Sequence, residues 1–294
     1  MKIISKKLMR CIYGIGLLSV LLVLSGMARK PVQLKGKFAG KELELFIGSA
    51  TKPATEEAAK LFEQITGAKL YLHFGGSGKM LSEMKLAQRG DIYFPGSSDF
   101  MDLAKKQNLV IPETEKIVIY LIPSINVPKG NPKGIKCLAD LAKPGIRIGI
   151  GRPDIVCVGL YAVEVMEYNN IADKIRPNIV TYAESCEKVA LLASLGSVDA
   201  VLGWSVFHYW APEKIETILL ELEQVPRVGY VSAAKSVFCR EQELADKFIN
   251  FLTSKEAKDI YQKWHYFATE EEARKFAKKD ATVGGVWSLP DNWK

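Results

Sequence analysis

LELFIGSATKPATEEAAKLFEQITGAKLYLHFGGSGKMLSEM (residues 43–84) decides the fold class of this chain. LELFI (43–47) reads as a short apolar strand, and PATEEAAKLFEQIT (53–66) repeats its apolar residues at helical spacing. Ala54, Ala58, Leu61, Phe62 and Ile65 fall on one helix face; Pro53 suits the first turn and Gly67 the C-terminal stop. KLYLHF (69–74) is a second strand, and GGSG leads into a helix carrying Met80, Leu81, Met84 and Ala87. Such alternation is the pattern of an α/β domain with a largely parallel sheet.

The same pattern extends outward. DIYF (91–94), the PGSSD turn and a helix through Lys106 complete a third unit. After the strand KIVIYLI (116–122), VPKGNPKG (127–134) reads as a Pro/Gly-rich crossover. Alternation restarts with IRIGI (146–150), a helix around 160–168, IVTY (179–182), a helix over 185–195 and DAVLG (199–203). A return strand over 225–233, helices over 241–252 and 254–264, and a charged helical segment, EEEARKFAKKD (270–280), follow.

With 294 residues, 48% apolar and 25% charged, the chain has room for two domains and a sizeable core. Four of its positive charges (Lys2, Lys6, Lys7 and Arg10) precede the uncharged run CIYGIGLLSVLLVLSGMA (11–28). From Arg29 onward the formal excess falls from +7 to +3, which argues against nucleic-acid binding through a broad basic face. Residues 1–28 are expected to be a secretory signal peptide cut before Arg29, the alternative being an uncleaved membrane anchor. Met27 stands where a lipoprotein box would need cysteine. Cys137, Cys157, Cys186 and Cys239 form no CxxC pair, so neither a zinc site nor a disulfide framework is signalled. One bridge is possible in an exported protein, and the sequence does not choose it.

Candidate chemistry lies between strands and helices: Gly48-Ser49-Ala50-Thr51, Gly75-Gly76-Ser77-Gly78, Gly96-Ser97-Ser98, 156–159, Ser185-Cys186 and Trp204-Ser205. Ligands of open α/β sheets bind outside the carboxyl ends of strands, and helix starts present unpaired N–H groups to anions. Ser and Gly also serve simply as caps and turns, but so many such loops at equivalent strand ends favour a site. FGGSGKM fails as a phosphate loop and as a nucleophile elbow, because His73, Met80 and Lys79 occupy required glycine or hydroxyl positions. His73, His208 and His265 show no ligand spacing, so no metal site is expected.

The segments AAKLFEQITG, FGGSGKMLSEM, GDIYFPGSSDF, DLAKPGIRIGIGRPDIVCVGLYA and VDAVLGW, taken in order, resemble the molybdate-binding proteins of ABC transporters. The resemblance implies a type II periplasmic-binding-protein fold: an α/β chain in two lobes, 29–122 plus 228–294 and 123–227. Hinge crossovers would lie near Ile122 and Arg227. It also implies a molybdate or tungstate oxyanion held in the interlobe cleft. Carried over by position, the donors are Ser77, the main-chain N–H groups of Val158 and Cys186, and the indole of Trp204, where the family commonly has tyrosine. The first-loop serine falls on Ala50, so either Ser49 or Thr51 supplies that hydroxyl or the ligand differs.

The implied role is an exported, monomeric solute-binding protein that hands its anion to a membrane permease driven by an ATPase subunit. No catalysis and no cofactor are expected. A phosphate- or sulfate-type binder is the alternative; Asp99 and Asp154 are the carboxylates that would accept a phosphate proton. An enzyme on the same scaffold, such as a group transferase, would use Cys157 or Cys186 as nucleophile, although both also suit plain packing. An anchored sensor is the third class.

Overall fold

The computed structural model describes residues 36–294; the leader expectation for 1–28 lies outside the described residues. The first sheet is opened by β1 (Glu42–Gly48), α1 (Lys52–Thr66), β2 (Lys69–Gly75), α2 (Ser77–Ala87), β3 (Ile92–Phe94), α3 (Ser98–Lys106) and β4 (Lys116–Leu121). After Ile122 the chain enters the second sheet with β5 (Pro123–Pro128), β6 (Ile148–Gly151), α4 (Cys157–Tyr168) and α5 (Ala172–Ile175). That half continues through β7 (Ile179–Ala183), α6 (Cys186–Ser194), β8 (Ala200–Trp204), α7 (Phe207–Trp210) and β9 (Ile215–Leu219). The return is β10 (Arg227–Lys235), followed by α8 (Gln242–Leu252), α9 (Lys255–Lys263), α10 (Glu270–Arg274) and β11 (Thr282–Val283).

The two sheets share one strand order. In the first it is β2-β1-β3-β10-β4, with β11 also on β10; in the second it is β7-β6-β8-β5-β9. In each, the strand that has just crossed from the other half, β10 or β5, runs antiparallel to its neighbours β3 or β8. This is the two-lobed periplasmic-binding-protein fold. Strand-to-helix loops of the two halves meet: the start of α2 bonds the loop before α4 through Gly78 N and Ile155 O, and the start of α6 bonds the loop before α1 through Glu187 N and Ser49 Oγ.

Local chemistry explains most element boundaries. Pro in the first turn opens α1, and Gly67 closes it at φ 74°, a left-handed conformation that glycine takes without a Cβ penalty. Ala54, Ala58, Ala59 and Phe62 pack inward, but of the residues expected on that face Leu61 is only half-buried and Ile65 is 58% exposed. VPKGNPKG is not the crossover: the chain has already changed lobes at Ile122, and β5 pairs with β8 and β9. The charged segment is helical only over Glu270–Arg274, started by a Thr269/Glu272 capping box. Ala273, Ala277, Ala281 and Trp293 of this C-terminal segment join the apolar cluster of the second sheet, although the sequence reading groups 228–294 with the first lobe. Trp293 donates to Glu167 Oε1 at 2.5 Å and lies under the Arg176 guanidinium at 3.9 Å. Among the described residues, no helix is long and apolar enough to cross a membrane.

Candidate functional site

Three first-lobe loops can converge only because two residues lack side chains. A Cβ on Gly48 would lie 2.5 Å from Gly96 N and 2.6 Å from Ser77 Oγ; one on Gly96 would lie 2.5 Å from Cys157 Sγ and 2.8 Å from Ala50 Cβ. Ser77 opens α2, is fully buried, and accepts a hydrogen bond from Gly96 N at 3.0 Å. Its carbonyl accepts from the Tyr93 hydroxyl at 2.8 Å.

The second lobe closes on this cradle with two helix starts. Gly78 N donates to Ile155 O at 2.9 Å, and Glu187 N, in the first turn of α6, donates to Ser49 Oγ at 3.3 Å. At the rim Lys52 and Glu187 form an ion pair at 2.7 Å, worth little by itself because it is solvent-exposed. Cys157 and Cys186 are the first residues of α4 and α6, and their sulfurs meet at 3.3 Å in the buried interior. Burial, and then the neighbouring Cys186 sulfur, push the Cys157 thiol well above its ordinary pKa. The Ser77 hydroxyl and the Val158 N–H act on the same sulfur in the opposite direction. Ser77 Oγ and Cys157 Sγ, from opposite lobes, both border Gly96: a Cβ there would lie 3.5 Å from the oxygen and 2.5 Å from the sulfur.

Of the two alternatives for the first-loop hydroxyl, Ser49 reaches towards the second lobe. Thr51 is turned inward, its Oγ1 accepting from Thr55 at 2.9 Å. Ala50 offers no hydroxyl; its carbonyl accepts from Tyr266 at 2.8 Å and its methyl packs under Gly96. Trp204 ends β8, is completely buried, and tilts against the Tyr161 ring at 4.9 Å. Among the described residues, Trp204 Nε1 and the Tyr161 hydroxyl find no hydrogen-bond partner. Unpaired buried donors are costly, roughly 1–3 kcal/mol each, and point to an acceptor supplied from outside the chain. Burial keeps the Tyr161 hydroxyl protonated, hence a donor.

Sequence reasoning missed Tyr161 and Arg227. Tyr161 lies four residues after Cys157 on α4, the one-face spacing that a helical reading of VCVGLYA contains. Arg227 carried no local signal. Its guanidinium bridges the halves beneath the cradle, 2.8 Å from Glu164 Oε2 and 3.0 Å from both Asp99 oxygens, with the Tyr161 ring 4.0 Å away. Asp99 also accepts from Ser97 Oγ and Trp287 N. Asp154, by contrast, lies at the exposed surface with Arg152. A groove of about 440 Å³ adjoins the cradle, its walls including Gly75, Gly76 and Lys79 on one side and Ser185, Lys188 and Trp210 on the other. Among the described residues, no group of three or more His, Cys, Asp or Glu side chains is arranged to hold a metal ion.

A family model described as bacterial extracellular solute-binding protein matches residues 43–267. A Haemophilus influenzae protein described as a binding protein is 27% identical over 177 residues, 60% of this chain and 71% of that one. The periplasmic molybdate-binding protein of Azotobacter vinelandii superposes with a TM-score of 0.68 at 18% identity, covering 78% of this chain and all of that one. The sulfate-binding protein SubI of Mycobacterium tuberculosis gives 0.71 at 13% identity, covering 83% and 94%.

Proposed function

The chain belongs to the family of bacterial extracellular solute-binding proteins, and from that premise we propose that it takes a tetrahedral oxyanion, molybdate or tungstate, between its lobes. In this reading it is exported, works as a monomer, and delivers its ligand unreacted to the permease and ATPase subunits of an ABC transporter. The observation that carries the reading is the convergence of neutral donors on one buried point. Ser77 Oγ and Cys157 Sγ both border Gly96, and Cys186 Sγ lies 3.3 Å from that sulfur; Tyr161, one turn along α4 from Cys157, and Trp204, packed on the Tyr161 ring, keep donors that find no partner among the described residues. Two helix starts add the positive ends of their dipoles. Such a cradle neutralises an anion by dispersed hydrogen bonds rather than by a formal cation.

The same geometry discriminates by protonation. Phosphate keeps a proton near neutral pH and needs an acceptor for it. Asp99 spends both oxygens on Arg227 and takes two further donors, and Asp154 stands outside with Arg152. Donors without a free carboxylate suit a fully deprotonated dianion. Sulfate meets that condition too, so the choice between it and molybdate rests on size. Competition calorimetry with tungstate, molybdate, sulfate and phosphate tests the reading. Tungstate and molybdate should bind at one site per chain and at least about tenfold more tightly than the others, a difference of about 1.4 kcal/mol. Heat from phosphate alone would overturn it.

A further inference from the structure

Of the four cysteines in the described residues, two are brought together, and they sit where the ligand is expected. Cys157 and Cys186 start different helices of the same lobe, are both 1% exposed, and hold their sulfurs 3.3 Å apart. A disulfide bond is about 2.05 Å long, so the sulfurs have a little over an ångström to close, within reach of small side-chain rotations. Cys137 and Cys239 are only partly buried and are not paired with another cysteine. An exported chain meets an oxidising compartment in which such a pair can persist as a disulfide.

We infer that Cys157 and Cys186 form a reversible dithiol–disulfide couple, and that its oxidation prepares the cradle for the oxyanion. The chemistry is thiol–disulfide exchange with a small-molecule disulfide, RSSR. One protein thiolate attacks a sulfur of RSSR and releases RS⁻; the second attacks the protein sulfur of the mixed disulfide and releases another RS⁻. The two protons of the original thiols pass to the released RS⁻ ions. The protein loses two hydrogens and RSSR becomes two RSH.

Coupling to the ligand follows from where the reduced sulfur lies. As a thiol, Cys157 Sγ fills the space beside Gly96 that Ser77 Oγ and Ala50 also border: a Cβ on Gly96 would lie 2.5, 3.5 and 2.8 Å from them. Moving it onto Cys186 draws the sulfur away from Gly96 and Ser77 and leaves that space to an anion. Access is also linked to closure. The pair is buried while Gly78 N and Glu187 N bind across the lobes. The lobes must part before RSSR can reach either sulfur, and a bound anion that holds them shut slows exchange in both directions. The formation of the bridge is independent of ligand identity; the gating of affinity rests on the oxyanion reading above.

The test uses the full chain incubated with either oxidised glutathione or dithiothreitol. Peptide mapping after alkylation should find Cys157 joined to Cys186 in the oxidised sample and both alkylated in the reduced one. Cys157→Ser and Cys186→Ser should each abolish that linked peptide. Tungstate calorimetry on the two wild-type forms should then show at least tenfold tighter binding when oxidised. No 157–186 link at saturating oxidised glutathione, with Cys137 or Cys239 modified instead, overturns the proposal. A link that forms with equal tungstate affinity in both forms overturns the gating. If the link forms and neither form binds any oxyanion, the couple stands and the ligand assignment falls.

Discussion

Ser77 carries two duties that the sequence could not separate. Its oxygen accepts from the buried Gly96 N–H, and its proton faces the cradle. Ser77→Ala should therefore weaken tungstate binding by about 1–3 kcal/mol and also lower stability by a similar amount, because Gly96 N is left unpaired. That second loss marks Ser77 as part of the fold as well as of the candidate site. Trp204 separates the two effects better. Its indole N–H bonds nothing among the described residues, so Trp204→Phe removes the proposed ligand donor without breaking a hydrogen bond seen there. The rise in melting temperature on adding tungstate should shrink in Trp204→Phe and survive more fully in Trp204→Tyr, which keeps a donor; thermal melts with and without the anion check this. At this scale the strand-to-helix loops singled out in the sequence include Ser49 and Ser77, which make hydrogen bonds where the halves meet. The sequence did not reveal that Cys157 and Cys186 meet at 3.3 Å, because a thiol in VCVGLYA looks like ordinary packing.

Element boundaries were largely legible because helix and strand periods differ so sharply between β1 and α3. β5 and β9 were not. In β5, Pro123 and Pro128 flank alternating Ser124, Ile125, Asn126 and Val127, a pattern that reads as an edge or a loop. The structure nevertheless buries Ser124 and Asn126, and Asn126 Nδ2 donates to Thr217 Oγ1 of β9 at 2.7 Å. The contact of α4 with β6 yields a sharper prediction. A Cβ on Gly159 would stand 2.1 Å from the Gly151 carbonyl oxygen, backbone against backbone, so α4 must retreat and pull Cys157 and Val158 away from the cradle. Gly159→Ala should markedly lower the melting temperature and abolish anion binding. At Gly196 nothing lies within 4 Å and only φ 64° resists a side chain, so Gly196→Ala should cost about 1–2 kcal/mol and leave binding intact. Denaturant unfolding of both variants distinguishes the two mechanisms.

For the whole molecule the decisive feature is Arg227, which ties Asp99 at the start of α3 to Glu164 on α4 and so joins the lobes. Burial opposes its charge, but the surrounding Tyr161, Asp99 and Glu164 outweigh that and raise the guanidinium's pKa. Arg227→Met would leave two carboxylates buried without their counter-charge and should cost about 3–5 kcal/mol. Glu164 behaves differently: burial raises its pKa above the ordinary 4.5, with Arg227 pulling against it. The folded chain therefore holds that proton more tightly than the unfolded one. The associated stability is present at low pH and is lost as pH rises from about 4.5 through the raised folded value. Glu164→Gln removes this titration, so its melting temperature relative to wild type should improve steadily from pH 4 to pH 7. The restart of alternation at IRIGI (146–150) pointed to a second α/β half, and the family resemblance placed the crossovers near Ile122 and Arg227. The buried ion triad and the C-terminal segment lying on the second lobe depend on contacts 60 or more residues apart, which local pattern does not encode. The central claim is that one oxyanion sits between the lobes. Anomalous diffraction at the tungsten edge from crystals grown with tungstate tests it most directly. A single tungsten peak enclosed by Ser77, Val158, Cys186 and Trp204 is the predicted result; a peak elsewhere, or none at saturating tungstate, would contradict it.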